Sequence, residues 1–78
     1  MKALVVSCEW DPEAGVWYVA DSDVPGLVCE ADTIELMEQK LRTRIPELLV
    51  LNTDRTHRNS AVPWELIARK QDSIAFAC

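Results

Sequence analysis

The sequence predicts an α/β (α+β) two-layer sandwich with elements in the order β-β-β-α-β. Three observations carry this. Residues 2–10 and 16–21 alternate apolar and polar side chains on either side of a turn cluster, the pattern of a β-hairpin. A second turn cluster, 22–26, precedes a third short apolar run, 27–31. Ile34, Met37, Leu41, Ile45 and Leu48 then recur at steps of three and four, the apolar stripe of a helix lying on a sheet.

In the first strand, Leu4, Val6, Cys8 and Trp10 share a face, with Ala3, Val5 and Ser7 on the other. Asp11-Pro12-Glu13-Ala14-Gly15 turns the chain. Placing Trp10 opposite Trp17 puts Cys8 opposite Val19 and completes one apolar face. The opposite face collects Val5, Val16, Tyr18 and Ala20. Asp32 stands as helix cap, with Glu35 three residues on to complete a capping box. Glu35 and Glu38 come early and Lys40, Arg42 and Arg44 late, as the helix dipole prefers. Pro46 lacks the amide that would bond the preceding turn, so the expectation is a kink there or a short second helix over 46–51. The polar stretch 52–61 reads as a loop and 62–70 as a strand with Trp64, Leu66 and Ala68 on one side. Residues 73–77 are either a fifth strand or an extension of the fourth. The crossover through the helix should be right-handed and set the last strand beside the first.

Seventy-eight residues leave room for one domain, 1–78, with a modest core. An apolar content of 49% and a charged content of 27% are globular proportions and exclude a disordered tail. The net charge of −5 is unevenly spread. Residues 1–39 hold Lys2 against nine acids, a balance of −8, and residues 40–78 hold seven bases against four acids, a balance of +3. No dense basic stripe offers to neutralise phosphates, so direct nucleic-acid binding is not expected. The acidic half suits a basic protein partner. Cys8, Cys29 and Cys78 form neither a CxxC pair nor an even disulfide set, and no run approaches the ~20 apolar residues of a membrane span. The chain reads as cytoplasmic with reduced thiols.

Catalytic signals are thin. His57 is the single histidine, so no two imidazoles can share a zinc ion. Cys8 and Cys29 sit in apolar strand patterns without a basic neighbour to lower their pKa, which argues against a Cys–His nucleophile. A two-metal nuclease needs several inward acids together, whereas Asp11, Glu13, Asp21 and Asp23 lie in or beside turns. There is no glycine-rich phosphate loop and no nucleophile elbow. No cofactor, metal or catalytic residue is assigned.

Gly15-Val16-Trp17-Tyr18-Val19, Asp23-Val24-Pro25-Gly26-Leu27 and Glu30-Ala31-Asp32-Thr33-Ile34-Glu35-Leu36 occur in this order. Together they resemble the HicB-like antitoxin family. The Trp10-Asp11-Pro12-Glu13-Ala14 stretch is similar to a branch of short, stand-alone, uncharacterised bacterial domains. The resemblance covers roughly residues 1–50, with 62–68 fitting its last strand. It implies a degenerate ribonuclease H-like fold without catalytic acids, usually oligomeric, that neutralises a small basic RNA-cleaving toxin. Full members add a C-terminal DNA-binding segment for which no room follows Cys78, so operon control by direct DNA contact is not implied.

These readings converge on a non-catalytic, antitoxin-like protein-binding module. The alternative is a homo-oligomeric domain with an RNA- or ligand-binding role through the basic loop of Arg55, His57 and Arg58, and a metal-dependent nuclease is a distant third. Val5, Val16, Tyr18 and Ala20 on the second sheet face, with Trp64 and Leu66 on an edge strand, are the candidate interface for a homodimer or a foreign partner.

Overall fold

The computed structural model describes residues 2–52 and 61–77, without the side chain of Asn52. Its elements are β1 (Leu4–Asp11), β2 (Val16–Ser22), β3 (Glu30–Ala31), α1 (Ile34–Asn52) and β4 (Trp64–Arg69). They form one four-stranded sheet in the order β3-β2-β1-β4, with α1 packed on one face. β1 pairs antiparallel with β2 and parallel with β4, so the crossover does return the last strand to the side of the first.

The hairpin register is the one that the aromatic pattern requires, with Trp10 opposite Trp17 and Cys8 opposite Val19. The two indole rings meet edge to face at 5.6 Å. Asp11 builds the turn: its Oδ1 accepts the amides of Glu13 and Ala14 at 3.0 and 3.3 Å, and its carbonyl accepts the Gly15 amide at 2.8 Å. Gly15 supplies the positive φ, 69°, that closes the loop. The alternation does not run unbroken to the end of β2. Ser7 pairs with Asp21 while Cys8 pairs with Val19, leaving Ala20 as an extra residue on β2. This β-bulge shifts the phase of the strand's end. Asp21 takes the outward place beside Ser7, and the half-buried Ser22 comes opposite Val6.

The second turn is built by Ser22, whose Oγ accepts the Val24 amide at 2.8 Å, and by Val24-Pro25-Gly26-Leu27, closed by the Leu27 amide on the Val24 carbonyl at 3.3 Å. Proline then glycine at a φ of 78° is the type II requirement. Asp23 extends the β1 ladder, donating its amide to the Val5 carbonyl (3.0 Å) and accepting the Val5 amide on Oδ2 (2.8 Å). The third strand is shorter than the expected 27–31: only Glu30 and Ala31 pair, with Tyr18 and Trp17. Leu27 and Cys29 are nonetheless buried.

The helix departs from expectation at its start, and at its end the alternative of a second helix over 46–51 is excluded. Its cap is Thr33, whose Oγ1 accepts the Leu36 amide at 3.1 Å, not Asp32. Leucine at the third helical position cannot reach back, so no capping box forms. At the other end, α1 runs unbroken through Pro46 to Asn52, with neither a break nor a second helix. Pro46 is exposed, so the carbonyl that its missing amide leaves free can be hydrated. The continued turns let Leu48 and Leu49 pack on the core. Lys40, Arg42 and Arg44 are therefore mid-helix, and the last turn carries no base.

Val6, Met37 and Leu41 are fully buried, with Cys8, Val24, Leu27, Cys29, Ala31 and Ile45 completing the core. Leu4, Trp17, Val19, Ile34, Leu48, Trp64 and Leu66 pack around it. The stripe over Ile34, Met37, Leu41 and Ile45 thus meets the sheet face as its spacing requires. Residues 70–77 contain no strand, turn or bend, so no fifth strand forms.

Candidate functional site

The sheet face turned away from α1 is the site with the most chemistry. β1 sends Val5, Ser7, Glu9 and Asp11 to it, and β2 sends Val16, Tyr18 and, after the bulge, Asp21. The parallel pairing with β4 adds Glu65 opposite Val5, Ile67 opposite Ser7 and Arg69 opposite Glu9. Glu30 joins beside Tyr18. The face therefore carries five acids and one base around a row of apolar side chains. Sequence alternation alone puts little charge there beyond Glu9. The bulge adds Asp21 and leaves no mark in the apolar spacing, whereas Glu65 and Arg69 follow from the alternation of β4 once it lies beside β1.

None of these acids is neutralised by a described residue. Among the described residues the one ion pair is Arg42–Glu38, at 2.9 Å on the helix surface. Glu9 and Arg69 stand opposite each other without closing a bridge. At the hairpin end the face continues into an open groove of about 670 Å³ lined by Trp10, Pro12, Tyr18, Val28 and Glu30, among others. Val28, just before β3, is 75% exposed there.

The candidate interface residues fall on two sides of the sheet. Val5 and Val16 are half-buried and Tyr18 and Ala20 exposed, with Ala20 in the bulge. Trp64 and Leu66 do lie on an edge strand, but their side chains face α1, packed against the core. The Arg42 guanidinium covers the Trp64 ring at 5.8 Å. Arg55, His57 and Arg58 lie outside the described residues.

Burial first, and then the neighbouring Cys29, push the Cys8 thiol above its ordinary pKa, away from the reactive thiolate. Both cysteines are free and buried. Among the described residues, no group of three or more His, Cys, Asp or Glu side chains is placed to hold a metal ion. No helix among them is long and apolar enough to cross a membrane.

Fold and face together define a small α/β domain whose described residues form a mixed four-stranded sheet and one helix, with an acidic face left open. The chain belongs to the family described as a domain of unknown function (DUF1902), whose model matches residues 3–77. It is similar to the crystal structure of a hypothetical protein, TTHA1013, from the extremely thermophilic bacterium Thermus thermophilus. That similarity is 39% identity over 96% of this chain and 100% of the other, with a TM-score of 0.67. No curated protein matches the sequence.

Proposed function

We propose that this domain is a non-catalytic, antitoxin-like module of the cytoplasm that takes a small basic protein on its open sheet face. One observation carries the reading: Glu9, Asp11, Asp21, Glu30 and Glu65 surround Val5, Val16, Tyr18 and Ile67, and no described residue forms an ion pair with any of these acids. Unpaired acids on a flat β-surface set up a negative field that speeds encounter with a basic partner. The apolar row supplies area that stabilises the complex once formed. The same charges disfavour stacking this face on a second copy, because a two-fold axis would set acid against acid.

The HicB-like resemblance of the hairpin, the Val-Pro-Gly turn and the helix start supports the same reading. A HicB-type antitoxin needs an exposed surface complementary to a basic toxin, and no catalytic group. The experiment is co-purification from the native host with wild type and with the Glu9→Lys/Glu65→Lys variant. The expected result is a small basic protein held by wild type, released by salt and lost with the variant. Recovery of nucleic acid instead, or capture indifferent to charge reversal, refutes the proposal.

A further inference from the structure

The C-terminal segment has an apolar pattern that a single chain does not use. Ile74 is 89% exposed and Phe76 82% exposed, and residues 70–77 are exposed throughout. Their phase is that of β4. Trp64, Leu66 and Ala68 pair with Leu4, Val6 and Cys8 on the helix side of the sheet. Lys70 keeps the alternation, with its Nζ 4.7 Å from the centre of the Trp10 ring on that same side. Continued as a strand, Ile74 and Phe76 fall on the helix side too. β4 is an outer strand, and no described strand pairs with its far side. An open edge followed by an apolar tail in phase with it is a template for strand addition.

We infer that two copies of this chain pair antiparallel through β4 and the tail, about a two-fold axis at Gln71, into one continuous eight-stranded sheet. Charge selects the register. Side chains stay on matching faces only if residues of equal parity oppose each other. An axis at Arg69, Lys70 or Asp72 sets two like charges directly opposite, which is destabilising, and an axis at Ser73 faces Lys70 with the partner's Phe76 and forms no ion pair. An axis at Gln71 sets Lys70 against the partner's Asp72, twice over, with neutral amides at the centre. The same register lays Ile74 beside the partner's Ala68 and Phe76 beside the partner's Leu66, on the side where that copy's helix packs. Ile67 meets the partner's Ala75 on the outer face.

Two phenylalanines remove about 300–500 Å² from water, and both Ile74 side chains, the surface they cover and the paired backbone from 65 to 77 add to it. This pairing leaves the acidic face open and stands whether or not that face binds a basic protein.

Light scattering on the full chain tests it, with an expected mass of twice 8.8 kDa. The Ile74→Asp/Phe76→Asp variant should fall to a single-chain mass. Its fold is not at risk, because both side chains are exposed in the single chain. Geometry supplies the second readout, in a Cys78→Ser background. Directly opposed residues lie about 4.5–5.5 Å apart at Cα, within the roughly 4.4–6.8 Å a disulfide spans, so Gln71→Cys should cross-link to itself on oxidation. Ser73→Cys should not, because its counterpart is displaced about 13 Å along the strands. A wild-type monomer, a dimer that survives the tail variant, or equal cross-linking at 71 and 73 would overturn the inference.

Discussion

Replacing Leu41 with alanine should remove a large share of the stability of this domain. Leu41 is fully buried in the middle of the α1 stripe, one turn from Met37 and one from Ile45, themselves buried. Truncation loses the transfer free energy of the removed groups and leaves a void, because helix and sheet cannot both close around it. Together these cost about 2–5 kcal/mol. A domain of 78 residues holds about 4–12 kcal/mol in all, at roughly 0.05–0.15 per residue. The variant therefore forfeits about half. Thermal unfolding followed by circular dichroism reads this directly. At about 4–8 °C per kcal/mol the midpoint should fall by roughly 8–40 °C. Leu51→Ala is the control on the same helix: at 78% exposure it should change stability by less than about 0.5 kcal/mol. Equal effects of the two substitutions would show that the packed face of α1 is misassigned.

Two further perturbations test particular bonds. Thr33→Ala should cost about 1 kcal/mol in urea denaturation, because the Leu36 amide loses its acceptor, whereas Asp32→Ala should cost much less. The reverse order would restore Asp32 as the cap. With the Cys8 pKa raised by burial, the folded chain keeps that proton longer than the unfolded chain. The resulting stability is present below the ordinary value of 9.0 and declines as pH rises past it. The melting temperature should therefore drop above that pH more steeply for wild type than for Cys8→Ala, and parallel profiles would contradict the assignment.

What can be read from sequence divides along physical lines. The hairpin register and the helix stripe are legible because large side chains repeat there at strand and helix periods. Trp10, Trp17, Met37 and Leu41 leave few alternatives. The bulge is not legible: Ala20 is small enough to stand on either face, so slipping past it violates no pattern. That slip, with Glu65 and Arg69 brought in by parallel pairing, decides the charge of the open face. The helix cap is ambiguous because Asp32 and Thr33 are adjacent and both are good caps. Helix continuation past Pro46 depends on solvent at the freed carbonyl and on core contacts of Leu48 and Leu49, which only the folded chain shows. Val24, 2% exposed inside a turn, has no periodic signal at all.

Side-chain chemical-shift mapping tests the open acidic face most directly. A methyl-labelled chain would be titrated with the basic protein that co-purifies with it. Shifts are expected at the methyls of Val5, Val16 and Ile67, weakening as salt rises, with Leu41 and Met37 unmoved. Shifts confined to the helix or the tail, with Val5, Val16 and Ile67 silent, would contradict the proposal.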